Sequence, residues 1–377
     1  MDAMKTLSDK LKAGKVNKLN MIIGLDGFVD QVIHVVDKRH DYANYTRINT
    51  IAEFGRRISS AAGLSTNIEM VPMYDKLGGN GPILANALLE YGVDLTYIGA
   101  LGSPEIHSVF TPMVEKLKAV YNLCNPGLSD ACEFDDGKIM IGKHTYLRDL
   151  TWDVMKTELG GPEGIAAQIN ECDLLGMENW VMMPHMSTIW EGMIDEVFPH
   201  ISAREVKPLV FFDLADPEKR TSEDIKHAMG LISRFEEKFR AILGLNERET
   251  YQIANVLGVD IDDCLDQENK LKAAAQGIYE KMGIYCIAVH PTRYACCVID
   301  GEFYTVLGPY CEKPKLTTGA GDNFNAGFCF AQAMGFTPIE SLTLGVATSG
   351  YYVRNARSPK IEEVTDFIDR WTQGSTD

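Results

Sequence analysis

Lys315-Leu-Thr-Thr-Gly-Ala-Gly-Asp322-Asn-Phe-Asn-Ala-Gly-Phe328 is the stretch that decides the fold. A polar loop bracketed by glycines runs straight into a segment whose apolar residues Phe324, Phe328 and Ala331 recur at helical spacing. The amides of Gly319, Ala320 and Gly321 then lie at a helix N-terminus, where unpaired N–H groups and the helix dipole favour an anion. Two glycines let the backbone approach a phosphate closely. Asp322 admits two readings. A carboxylate in the first turn is an ordinary partner of the helix dipole. Beside an anion site it would repel the ligand unless it had a task there, such as taking the proton from a hydroxyl that attacks a phosphoryl group. Asn325, one turn on, either orients that carboxylate or is a helix-surface residue.

Outward from this loop, the chain alternates helical and extended patterns. Leu19 to Gly24 is a short apolar run closed by glycine, which suits a buried strand following an amphipathic leader that ends near Asn17. Val32 to Val36 continue as extended chain, and a helix is expected over about 48–62. Ile83, Leu84, Ala87, Leu88 and Tyr91 fall at helical spacing, Gly92 caps them, and a strand follows at 95–99. Further strands are expected near 173–176, 209–213, 241–245 and 285–289, with crossover helices at about 222–239 and 267–282. Asp135-Asp136-Gly137 and Asp300-Gly301 mark hairpins. The expectation is one large α/β domain over residues 1–377, carrying a small β-rich projection.

Composition bounds the function. The 377 residues are 45% hydrophobic, enough for a substantial core, and carry 36 basic against 53 acidic side chains for a net charge of −17. A nucleic-acid or anionic-membrane surface would run against that field, so no nucleic-acid or membrane partner is expected. The N-terminus lacks an apolar signal core and no run approaches a membrane span, which reads as cytoplasmic. Nine cysteines without paired zinc spacing read as reduced, buried thiols, and the eight histidines show no metal spacing. Neither a P-loop, a G-x-G-x-x-G fingerprint at Gly319, H-E-x-x-H nor G-x-S-x-G occurs. Asp213 and Asp216 sit at a strand end, with Asp216-Pro217 read as a turn, and Trp152, Trp180 and Trp190 are read as core.

Thr317-Thr-Gly-Ala-Gly-Asp322 with Phe324, Ala326 and Gly327 resembles the C-terminal signature of the ribokinase-like (PfkB) carbohydrate kinases. Gly78-Gly79-Asn80-Gly81 with Ala85 and Gly92 resembles that family's N-terminal glycine pair, and Asn246-Glu-Arg-Glu249 its N-x-x-E element. With Asp30, the similarity runs in order from about residue 20 to 355. The resemblance implies a doubly wound, mostly parallel sheet flanked by helices, with a small β-rich lid formed by segments at about 31–77 and 119–150. It implies ATP as donor, Mg2+, and a sugar or sugar-like hydroxyl as acceptor, a nucleoside or vitamin-like alcohol being the alternative within catalysis. Asp322 becomes the base, and Gly319, Ala320 and Gly321 the anion hole. Asp30, Gly78, Gly79 and Asn80 become substrate contacts. Asp26 is a second candidate there, although a solvated turn acid is the plainer reading. Asn246 and Glu249 would act through magnesium-bound water, though Asn-x-x-Glu is also a helix cap. Thr292 and Thr318 would meet the nucleotide.

Three departures stand out. Ile83 replaces the family's sugar-binding Asn, Leu316 replaces the acid that opens the C-terminal signature, and His290-Pro291-Thr292-Arg293 replaces a glycine turn near the nucleotide. They imply a different hydroxyl pattern, cast doubt on a potassium-type site, and motivate a silent binding member as the contrasting hypothesis. A phosphosugar acceptor would need cations near the lid, where Lys138, Lys143 and Arg148 are available. The 48–62 helix is long for a lid connection and fits either a substrate cover or an oligomer interface, such as a homodimer through the lid.

Overall fold

The computed structural model describes residues 2–13, 18–262 and 264–376. The leader is a helix over Asp2–Lys12, and its expected end near Asn17 lies outside the described residues. The strands are β1 (Asn20–Leu25), β2 (Phe28–Arg39), β3 (Tyr45–Arg47), β4 (Met70–Gly78), β5 (Asp94–Gly99), β6 (Ala119–Asn122), β7 (Gly127–Phe134), β8 (Gly137–Lys143), β9 (Leu174–Met177), β10 (Leu209–Asp213), β11 (Arg240–Leu245), β12 (Cys286–Val289), β13 (Tyr294–Ile299) and β14 (Glu302–Leu307).

Nine of them form one sheet in the order β14-β13-β12-β11-β10-β9-β1-β5-β6. Every pair from β12 to β6 is parallel, and only β13 and β14 run antiparallel, joined at Asp300-Gly301 as the turn chemistry predicts. Parallel strands must be covered on both faces, and the sequence supplies apolar residues of both parities. In β1, Ile22 packs into one core while Met21 and Ile23 pack into the other; Cys296 and Cys297 of β13 divide the same way. All nine cysteines are free and seven are buried. Trp152, Trp180 and Trp190 belong to the first core. Among the described residues no helix is long and apolar enough to cross a membrane.

The second sheet has the order β3-β2-β7-β8, with β4 added to β2. One of its faces is covered by the helix Ile51–Ser59, which a Thr50–Glu53 capping box starts. Phe54 of that helix stacks on Phe134 with ring centroids 5.5 Å apart, among Ile33, Val35, Ile48 and Cys132. The second segment of the smaller sheet is shorter than the expected 119–150. β6 (Ala119–Asn122) pairs with β5 at the edge of the large sheet, and Leu147 and Leu150 are buried in the main core, so only Gly127–Lys143 joins the second sheet.

Candidate active site

Parallel strands end on one edge of the large sheet, and ligands in open α/β sheets bind beyond those carboxyl ends. Here β1 delivers Asp26, β9 delivers Glu178 and Asn179, β10 ends on Asp213, β11 leads into Asn246 and β12 into His290. The helices Asn80–Glu90 and Ala320–Ala333 point their N-termini at the same edge.

Asp26 is fully buried, which corrects the reading of a solvated turn acid. Its carboxylate accepts from the backbone N–H of Asn80 at 3.0 Å, of Gly81 at 2.9 Å, and from Asn179 Nδ2 at 2.8 Å. Burial still raises it to about 6 against those donors. Gly79 holds this arrangement open: its φ is 98°, and a Cβ there would lie 2.9 Å from Asp26 Oδ2. Asn80 then reaches the other way, donating from Nδ2 to Asp322 Oδ1 at 3.1 Å. Asp322 is buried at the first turn of its helix, and desolvation together with the nearby Asp26 charge pushes it up to about 8, with Asn80 pulling it down.

Before Asp322, Gly319 adopts φ 89°, the left-handed region. The Ala320 amide donates to Thr317 O at 3.1 Å, so it is already committed. Those of Gly319 and Gly321 carry no backbone hydrogen bond among the described residues. Asn325 does not reach Asp322; its Nδ2 donates to Asp213 Oδ2 at 3.2 Å. Asp213 is not only a turn residue either: it is half-buried and held well above the usual carboxylate range by desolvation, Glu249 and Asp322. Asp216 does make the turn, with φ 67° before Pro217.

Two buried residues escaped sequence reading. Glu178 is fully buried, and neither of its carboxylate oxygens has a hydrogen-bond partner among the described residues. Burial and the carboxylates of Asp213, Asp322 and Asp26 hold it well above its ordinary value. Asn179 positions Asp26 from a left-handed φ of 63°. The signal available was their place just after a parallel strand.

A cleft of about 300 Å³ opens on the other side of Gly321, lined among others by His290, Thr292, Tyr310, Thr317, Phe324 and Ser349. Thr317 lines it where Thr318 was expected; the Thr318 carbonyl instead accepts from Tyr352 Oη at 2.8 Å. His290 packs on Phe324 with ring centroids 5.1 Å apart, and burial lowers it to about 4, so the ring is neutral. Asn246 and Glu249 form a reciprocal cap on the helix Glu247–Val256: Asn246 Oδ1 accepts from Glu249 N, and Glu249 Oε2 from Asn246 N. Glu249 Oε1 also accepts from Asp216 N at 3.0 Å.

The model of the prokaryotic ketohexokinase family matches residues 2–371. The chain belongs to the prokaryotic ketohexokinase family. A ketohexokinase from Haloferax volcanii is 28% identical over 367 residues, covering 96% of this chain and 93% of that protein. Among solved structures, a fructokinase from Xylella fastidiosa with bound ATP aligns at TM-score 0.65 with 13% identity, covering 94% of this chain and all of that one. A protein from Escherichia coli named as a candidate ribokinase II, in complex with ATP and Mg2+, aligns at 0.59 with 15% identity over 95% of this chain and all of that one. The fold is ribokinase-like, and the protein is a sugar kinase. In this prokaryotic ketohexokinase family member the buried acidic cluster of Asp26 and Asp322 adjoins the second sheet, where Asp30 is half-buried. Burial raises the Asp30 carboxyl, while the Ser129 hydroxyl and the ammonium groups of Lys76 and Lys138 lower it. Lys143 is paired with Asp130, and Arg148 lies beside Asp149.

Proposed function

We propose that this sugar kinase transfers the γ-phosphoryl group of ATP to a hydroxyl of a ketohexose, with Asp322 as the base. The observation that carries this reading is the position of Asp322. It sits between an anion-ready helix start facing the 300 Å³ cleft and a cluster of carboxyl groups that abuts the Asp30 face of the second sheet. ATP occupies the cleft, its terminal phosphate at the free amides of Gly319 and Gly321. The acceptor lies over Asp30 and Asp322, with the fully buried carboxyls of Asp26 and Glu178 beneath and Gly78, Gly79 and Asn80 shaping the floor. The Asp322 carboxylate takes the hydroxyl proton, the hydroxyl oxygen forms the new P–O bond, and the bond to the β-phosphate oxygen breaks to release ADP. Thr292 contacts the nucleotide from the cleft wall. The second sheet closes as a lid that excludes water, which would otherwise accept the phosphoryl group.

Among the described residues no group of three His, Cys, Asp or Glu can hold a metal directly. Glu249 nevertheless fits an ion held through water: both of its oxygens accept one backbone N–H, and each retains a lone pair for a metal-bound water. Asn246 fixes it in that pose. Magnesium bound with ATP would supply positive charge that offsets the acidic cluster and the phosphates. The test is ATP consumption against a panel of ketoses, aldoses, polyols and nucleosides, with Asp322→Asn alongside. Ketohexose-dependent turnover lost in the variant supports the reading; binding of sugar without any turnover would replace it with a silent binder.

A further inference from the structure

The face of the second sheet that carries Asp30 holds a charged row with no place in the chemistry above. Register puts Lys76 of β4 and Ser129 of β7 directly opposite Asp30 of β2, one on each side. Side chains two apart along a strand share a face, so Glu133 lies on the Ser129 face, and its cross-strand partner Lys138 joins it from β8. Lys138 is paired with Glu133 at 3.1 Å. Lys76 is half-buried, yet among the described residues its ammonium makes no hydrogen bond or ion pair.

We propose that Lys76 is the specificity-determining donor of the acceptor site, forming with Asp30 a donor–acceptor pair that reads neighbouring hydroxyls of an uncharged polyol. This rests on the kinase reading and deepens it. A sugar hydroxyl both donates and accepts, whereas the half-buried Asp30 carboxylate only accepts, and Asp26 and Glu178 are fully buried behind it. Asn80 Nδ2 already donates to Asp322, and Ile83 offers nothing polar from the same helix turn. Lys76 supplies the missing donor. Its place is set by Gly78: a Cβ there would lie 2.6 Å from the Asp30 carboxylate, so the Lys76–Asp30 row abuts the Gly79-Asn80 turn that reaches Asp322.

Charge selects against an anionic acceptor. On this face two ammonium groups, Lys76 and Lys138, balance two carboxylates, Asp30 and Glu133. The floor then adds Asp26, Glu178 and Asp322. A phosphate or carboxylate on the acceptor would meet no net positive charge on this balanced face, while a neutral polyol meets donors and acceptors in alternation.

The test is Lys76→Met, with Lys76→Arg as the variant that keeps a cationic donor. Lys76→Met removes an unpaired half-buried charge, so the fold should hold, as melting curves will show. Losing a charged hydrogen bond should raise the KM for ketohexose about 10- to 100-fold, with the KM for ATP unchanged and kcat within about threefold. Lys76→Arg should recover part of the sugar affinity. Among monodeoxy ketohexoses, the one lacking the hydroxyl read by Lys76 should be discriminated by the unsubstituted enzyme and no longer by Lys76→Met. A sugar KM unchanged in Lys76→Met, or an ATP KM that rises with it, would overturn the proposal, as would preference for a phosphorylated sugar that vanishes in the variant. Calorimetric titration with ketohexose separates the two levels. Absence of acceptor-dependent ADP formation fails the kinase reading, while equal or absent sugar binding in both proteins fails the role of Lys76.

Discussion

Asn80 Nδ2 donates to Asp322 Oδ1 at 3.1 Å across 242 positions of sequence, while its backbone N–H donates to Asp26 at 3.0 Å. One residue therefore ties together two buried carboxyls that repel when both are ionised. Asp26 is the largest charge acting to raise Asp322, and Asn80 is the donor that moderates it. A base held near the working pH combines a usable ionised fraction with real basicity.

The pH profile should report this pair. With Asp322 raised to about 8 in the free protein, kcat/KM should rise with pH through the neutral range and level off above about 8. Asp26→Asn removes the like charge, so the Asp322 carboxyl loses its proton more easily and the rising limb moves to lower pH. A limb that stays in place, or moves upward, would show that Asp322 is not the titrating base.

Asp322→Asn should cut turnover about 10²- to 10⁴-fold while nucleotide and sugar still bind. Stability provides a second readout. A carboxyl raised from 3.8 to about 8 favours the protonated folded state, so its contribution is fully present below about pH 3.8 and is lost as pH rises to about 8. Asparagine does not titrate. The melting temperature of Asp322→Asn should therefore gain on the parent protein between pH 4 and 8 and stop gaining above that. A constant difference across this range would contradict the buried, raised carboxyl.

How much of this was legible in the sequence depends on range. The Gly319–Asp322 turn, the Asn246–Glu249 cap and the Asp300-Gly301 hairpin are local, and local spacing is enough to read them. Parallel strands such as β9 and β10 were legible because burial on both faces makes them continuously apolar. Asp26 was misjudged because its three donors come from Asn80, Gly81 and Asn179, and no local pattern announces them. Asn325 was misdirected for the same reason: one helical turn relates it to Asp322, but the neighbouring strand brings Asp213 closer. β6 was assigned to the wrong sheet because an extended segment does not state its partner. Glu178 carries no motif, and only the crossover topology reveals that it faces the other carboxyls.

Glu249→Gln separates the cap from the metal role. Glutamine keeps one acceptor oxygen where glutamate uses two, so either the Asn246 or the Asp216 amide loses its partner, at about 1 kcal/mol. The Mg2+ concentration for half-maximal rate should rise, since the neutral side chain attracts the hydrated ion less. Asn246→Ala should cost about 1 kcal/mol in unfolding free energy through the lost cap. If Glu249→Gln loses stability but keeps the parent Mg2+ dependence, Glu249 is a cap and nothing more.

The anion-hole loop should respond to Gly319 and Tyr352 together. Tyr352 Oη donates to the Thr318 carbonyl at 2.8 Å, and a Cβ on residue 319 would come within 2.9 Å of the Tyr352 hydroxyl oxygen and 3.2 Å of Ile83 Cγ2. Gly319→Ala thus meets two obstacles, the clash and a left-handed φ of 89° that costs an L-residue about 1–2 kcal/mol. Turnover should fall at least about 10-fold, since the displaced amides no longer meet the transferring phosphate. Tyr352→Phe alone forfeits one hydrogen bond, about 1 kcal/mol, with a smaller loss of rate. Combined, the missing hydroxyl makes room for the added Cβ, so the double variant should lose less than the two single losses multiplied. Sites in contact couple in this way, and a steady-state double-mutant cycle measures it. Strictly multiplicative losses would mean that Tyr352 does not brace the loop, and the strain at Gly319 would then be of backbone origin alone.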